Sequence, residues 1–162
     1  MKTKLIVIII AGAACNIATA LGSTATEVLR VHNAYRIKHQ VPSLHWDKRL
    51  ARYAKRYAKR CQFKHSHGEY GENLAAGYPS VTAAIQTWYA ENEKYSYKKP
   101  GFKSATGHFT QMIWKGTKKI GCALVTCDGK NATPGKYLVC EYSPVGNITN
   151  EGYFASNVLP PK

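Results

Sequence analysis

The sequence predicts an α+β domain in which helices precede and surround a small antiparallel sheet. Three observations carry this. Apolar residues recur at helical spacing across residues 24–61 and again across 81–88. Two β-leaning segments, IGCALVTC (120–127) and KYLVCEYS (136–143), flank a polar turn with Asp128-Gly129 and Pro134-Gly135, the pattern of a hairpin with a long loop. No internal repeat or domain-sized linker interrupts the chain, so a single domain is expected over residues 21–162.

Residues 1–20 stand apart from that domain. MKTK is a basic start, LIVIIIAGAAC is an apolar run, and Ala18 to Ala20 supply a small-x-small cleavage site. The run is shorter than the roughly 20 residues a membrane span needs. Residues 1–20 are therefore read as a signal peptide and the protein as secreted. Their removal takes away Lys2 and Lys4 and lowers the formal net charge from +14 to +12.

Thr24-x-x-Glu27 has the form of a capping box and opens a helix to about Val41, closed by Pro42. Val28, Val31 and Tyr35 share its apolar face, and His32 is read as an anchor of helix packing. After the turn PSLHWD, Asp47 can cap a second helix with Leu50, Ala54, Tyr57, Ala58 and Cys61 inward. Its outer face is almost purely cationic: Lys48, Arg49, Arg52, Lys55, Arg56, Lys59 and Arg60. Residues 62–79 read as a glycine- and histidine-rich loop holding one short strand. Ser80 caps a third helix with Val81, Ala84, Ile85 and Trp88 buried. The loop KKPGFKSATG then leads into a short helix around HFTQMIW, and the tail after Asn150 reads as irregular.

Export changes the reading of the cysteines. Cys15 leaves with the signal, and Cys61, Cys122, Cys127 and Cys140 are an even number in an oxidising compartment. A four-cysteine zinc site competes, but only Cys122 and Cys127 are close in sequence, so disulfides are favoured. Cys122 and Cys127 are five residues apart, so within one strand they face opposite sides and need different partners. Asn131-Ala-Thr and Asn147-Ile-Thr are candidate glycosylation sites.

Within this basic chain, Glu72 lies between Gly71 and an apolar run, seven residues after His65. Metal ligation, acid/base chemistry and a structural hydrogen bond are all open to such a pair. GHFTQMIW followed by IGCA, and YLVCEYSPVGNI, resemble the two signature motifs of the CAP superfamily of cysteine-rich secretory, antigen 5 and pathogenesis-related class 1 proteins. HNAYR, LHWD, HSHGEYGENLA and WYAE fall in the family's order, and the ending ASNVLPP looks like its fungal secreted branch. Glu141 departs from the pattern, which has an uncharged or basic residue after that cysteine.

The resemblance implies an α-β-α sandwich with a small central antiparallel sheet, and the pairs Cys61–Cys127 and Cys122–Cys140. It also implies a cleft lined by His65, Glu72, Glu91 and His108, a set suited to a divalent metal such as zinc. No serine or cysteine nucleophile motif accompanies these residues, so an enzyme is not expected and metal-dependent hydrolysis is the weakest reading. Fungal members are associated with sterols through an aromatic loop, here Tyr95, Tyr97 and Phe102. The expected partner is a sterol or other small lipid. The alternative is a defence or interaction protein whose basic helix meets an anionic membrane or cell-wall surface. No nucleic-acid recognition motif is present, and nucleic acid is not an expected partner.

Overall fold

The structure, a computed structural model, describes residues 23–162, so the signal-peptide reading of residues 1–20 lies outside the described residues. Ser23 opens helix α1 (Thr24–Lys38), its Oγ accepting the Thr26 N–H at 3.3 Å. The expected capping box does not form. Glu27 Oε1 instead accepts from the Thr82 N–H (3.0 Å) and hydroxyl (2.7 Å), tying α1 to the start of the third helix. The helix also stops three residues short of Val41, because Gln40 takes a left-handed conformation (φ 54°) that ends the helical run.

Helix α2 (Lys48–Ala58) follows a two-residue strand, β1 (His45–Trp46), in what the sequence read as a plain turn. Asp47 caps α2 as expected, accepting from the N–H groups of Arg49 (2.7 Å) and Leu50 (3.3 Å). Strand β2 (Gly71–Ala76) is the short strand expected in the glycine-rich segment. Ser80 caps α3 (Val81–Ala90) through the Ala83 N–H at 3.0 Å, and α4 spans Gly107–Ile113. The hairpin is β3 (Lys119–Thr126) and β4 (Lys136–Ser143). The tail, read as irregular, contains a short helix, α5 (Tyr153–Asn157), whose Phe154 enters the core against Trp114.

The sheet order is β1-β3-β4-β2, with β2–β4 and β3–β4 antiparallel and β1–β3 parallel. Helix α2 covers one face, and α1, α3 and α4 cover the other. Alternation along β4 serves both layers: Tyr137 and Val139 join the α2 side, while Leu138, Cys140 and Tyr142 join the larger core. This is the α-β-α sandwich. The close seat of α2 depends on Gly121 of β3, where a Cβ would collide with the Ala51 nitrogen and come within 2.6 Å of the Asp47 oxygen and Leu50 Cβ.

Both disulfides form as expected. Cys122–Cys140 joins directly opposed residues of β3 and β4 in the larger core, and Cys61–Cys127 ties the end of α2 to the end of β3 in the smaller one. Cys122 and Cys127 thus serve opposite faces.

Candidate functional site: two histidine–glutamate pairs

Glu91 follows the last residue of α3 and points at the start of α4. One carboxylate oxygen accepts from the backbone N–H groups of His108 (3.0 Å) and Phe109 (3.1 Å), and the other lies 2.6 Å from His108 Nδ1. A carboxylate at a helix start is favoured by the unpaired N–H groups there. Glu91 therefore holds both the helix and the imidazole, whose ring stacks on Trp88 (centroids 5.8 Å apart, 16° between planes).

Glu72, in β2, does the same for His65. Its Oε1 accepts from His65 Nδ1 at 2.7 Å and from the Ser66 N–H at 2.9 Å. His65 is held above its usual pKa, chiefly by this hydrogen bond. Burial pushes Glu72 up, but the His65 and Ser66 bonds outweigh it and leave Glu72 below the usual carboxylate range. His65, Glu72 and His108 line one cleft of about 350 Å³, which Phe102, Ser104 and Asn147 complete. Glu91, expected on the same wall, instead faces a separate hollow with Thr87 and Ala105, because its carboxylate is turned onto the start of α4 behind His108.

In both pairs a carboxylate fixes Nδ1 as the donor, which leaves Nε2 as the free lone pair. The donor set fits a metal held by two imidazoles and water, with the carboxylates orienting the rings. It does not fit a four-ligand cage, since three of the four carboxylate oxygens are already hydrogen-bonded. Among the described residues, no three His, Cys, Asp or Glu side chains are grouped to hold a metal ion.

The fourth oxygen, Glu72 Oε2, is buried with no conventional donor, and so are both oxygens of Glu141. The two residues are direct cross-strand partners in β2 and β4. Burial, then the charge of Glu72, then a hydrogen bond to it push the Glu141 carboxyl up to about 9. Glu141 thus holds a proton at neutral pH and can donate it to Glu72, a carboxyl backing a carboxylate. Sequence reasoning noticed this acid but had no role for it, because its partner is visible only in the strand register.

Behind the cleft runs a polar chain with a fixed direction. His32 Nδ1 donates to the Val28 carbonyl (2.9 Å), so its Nε2 accepts from the Tyr142 hydroxyl (2.9 Å). That hydroxyl accepts from Asn73 Nδ2 (3.2 Å), which also reaches the His108 carbonyl (3.1 Å). Burial lowers His32 to a pKa of about 4, so it is neutral and structural, as the sequence suggested. His39 is also buried, donating to the Leu159 carbonyl and accepting from Tyr89. His67 is exposed.

The aromatic loop divides. Tyr95 is buried and Tyr97 half-buried, their rings edge to face at 5.0 Å, and burial pushes the Tyr97 hydroxyl up to about 12. Only Phe102 is open to solvent. The candidate glycosylation sites differ too. Asn131 is exposed, though its amide donates to the Arg60 carbonyl, while Asn147 donates to Gly107 and accepts from Thr110, so a glycan on its nitrogen would compete with the bond to Gly107.

A three-layer sandwich with two disulfides and paired His–Glu side chains in an open cleft defines a CAP-type domain. Residues 29–142 match the model of the CAP, cysteine-rich secretory protein, family, and the chain belongs to that family. It is 43% identical over 152 residues to the secreted protein RBT4 of Candida albicans, covering 85% of this chain and 41% of that protein. The human Golgi-associated plant pathogenesis-related protein 1 is 44% identical, with 84% of this chain and 92% of that protein covered. The chain spans 41–54% of the length of the first three fungal relatives it matches. Among solved structures, the venom allergen-like protein 4 of Schistosoma mansoni superposes with a TM-score of 0.65 at 26% identity, covering 79% of this chain and 92% of that one.

Proposed function

We propose that this protein is an extracellular lipid-binding CAP domain that holds a sterol-class molecule against Phe102. The observation that carries this reading is the position of that ring. Phe102 is 52% exposed and stands between the 350 Å³ cleft and a second hollow of about 190 Å³ shared with Pro100, Thr149 and Phe154. A sterol is a rigid apolar body with one hydroxyl, so its site needs an apolar wall and one polar contact. Phe102 offers the wall, and Ser104 and Asn147 offer polar contacts on the cleft side. Tyr95 and Tyr97 support the loop from inside. The leader-like residues 1–20 and the secreted fungal relatives favour an extracellular setting.

Phe102→Ala is expected to weaken radiolabelled sterol binding by roughly 10- to 150-fold, the equivalent of about 1.5–3 kcal/mol for a buried ring. Glu72→Gln should leave it unchanged. Loss in Glu72→Gln alone would move the ligand from Phe102 to the His65–Glu72 wall of the cleft, and no binding by the wild type would overturn the reading.

The free Nε2 atoms favour a second property of the same cleft, binding of a divalent metal by His65 and His108. When bound, such an ion would polarise water or an anionic group. Proton and metal compete for the same lone pair, and Glu72 strengthens the proton's hold on His65. Zinc affinity measured by calorimetry is therefore expected to fall as pH drops, starting above the ordinary histidine value of about 6.5, and to be lost in His65→Ala/His108→Ala. Equal affinity in wild type and variant would reduce the cleft to a hydrogen-bonded scaffold.

A further inference from the structure

The outer face of α2 has no counterpart among the described residues. Lys48, Arg49, Arg52, Lys55, Arg56, Lys59 and Arg60 are all exposed, while Leu50, Ala54, Tyr57 and Ala58 pack on the sheet. Among the described residues none of the seven is ion-paired. The one acid beside them, Asp47, is occupied by the helix N–H groups and by Lys119 at 3.5 Å. The cations instead lie over rings or solvent: Arg56 sits 5.6 Å from the Tyr53 centroid and Arg60 5.4 Å from that of Tyr57.

Two apolar features accompany the charge. Between α2 and β3 lies a crevice of about 420 Å³, rimmed by Lys48, Arg52 and Lys55 and floored by Ala51, Ala123 and Leu124. At the other end of the helix Phe63 is 57% exposed, its ring 6.0 Å from Tyr137, which belongs to the α2 side of the sheet. Exposed aromatic and apolar ground interleaved with cations suits a surface that is anionic outside and apolar just beneath. A soluble polyanion would use the cations and leave Phe63 without a role.

We propose that the α2 face docks this protein on an anionic phospholipid bilayer, with α2 lying along the headgroups and Phe63 entering the interface. The attraction is electrostatic at its outset and is screened within about 8 Å at physiological ionic strength. Each basic residue at such a surface is worth about a fivefold change in partitioning, and the aromatic anchor adds a contribution that salt leaves intact.

The test is flotation with phosphatidylcholine vesicles and with vesicles containing 30% phosphatidylserine. Wild type should bind the anionic vesicles alone and lose most binding at high salt. Arg52→Gln/Arg56→Gln/Lys59→Gln should bind about 100-fold more weakly, and Phe63→Ser about 5- to 10-fold more weakly with its salt dependence kept. All four positions are exposed, and a thermal melt checks that each variant folds. Equal binding to both vesicle types, or unchanged binding by the triple variant, would overturn the proposal. So would retention on heparin without vesicle binding, which would assign the face to a soluble polyanion. Full vesicle binding by Phe63→Ser would remove the aromatic from the interface and overturn the docking geometry.

Discussion

Glu141→Gln is expected to stabilise the protein by on the order of 3 kcal/mol at pH 8 while changing it little at pH 4. Glu141 is fully buried, and its carboxyl is raised from 4.5 to about 9. The folded state therefore binds this proton more tightly than the unfolded chain does. The contribution is whole below about 4.5 and declines as pH rises toward 9, by at most about 1.4 kcal/mol per pH unit. Glutamine has nearly the same shape, carries no proton to lose, and can still donate to Glu72 Oε2. Urea denaturation of both proteins from pH 4 to 9 would show the wild type losing stability relative to the variant as pH rises. Parallel profiles would mean that the Glu141 charge is solvated after all.

Arg36→Leu should be the most damaging single change in α1, at about 3–5 kcal/mol. The Arg36 guanidinium is buried, and among the described residues it meets no carboxylate. It donates to four carbonyls, those of Pro42 (2.7 Å), Met112 (2.9 Å), Trp114 (3.0 Å) and Thr117 (3.0 Å). Burial lowers its pKa to about 10, so it stays charged at neutral pH. Removing it strands several buried acceptors at once. Arg36→Lys keeps the charge but not the fork, and should lie between wild type and Arg36→Leu in urea denaturation. A loss below about 1 kcal/mol for Arg36→Leu would mean that water replaces the guanidinium.

These two residues also mark where sequence reading stops. Local signals were legible: Asp47 and Ser80 were seen as caps because a short polar side chain before an apolar repeat has a mechanical role there. The hairpin was legible from its turn. Arg36 and His39 are less so, although Arg36 sits eight residues after Val28 on the buried stripe of α1 and His39 follows as its C-cap. The periodicity pointed inward, but a cation on that stripe has meaning only once the loop carbonyls around 112–117 are known to converge there. Tyr95 and Tyr97 were placed in a loop, correctly, yet nothing local says that a loop ring turns inward. Alternation along YLVCEYS puts Glu141 on the side of Tyr137 and Val139. Its partner Glu72 lies 69 residues away and emerges only from the pairing of β2 with β4. Motif resemblance implies the four residues His65, Glu72, Glu91 and His108, whereas their division into pairs and the roles of Nδ1 and Nε2 follow from geometry.

The Cys61–Cys127 bond closes a covalent ring of chain, and His65, Glu72, Glu91, His108 and Phe102 all lie inside it. A protease that cuts once anywhere between those cysteines opens the ring without detaching either piece. The cleft residues stay in one molecule, held by that bond and by the pairing of the sheet. Only a cut outside the ring can shed a segment, and the segments so shed hold no cleft-lining histidine. A site built for a medium rich in hydrolases would gain from that arrangement: a single nick there is a scar and not an amputation.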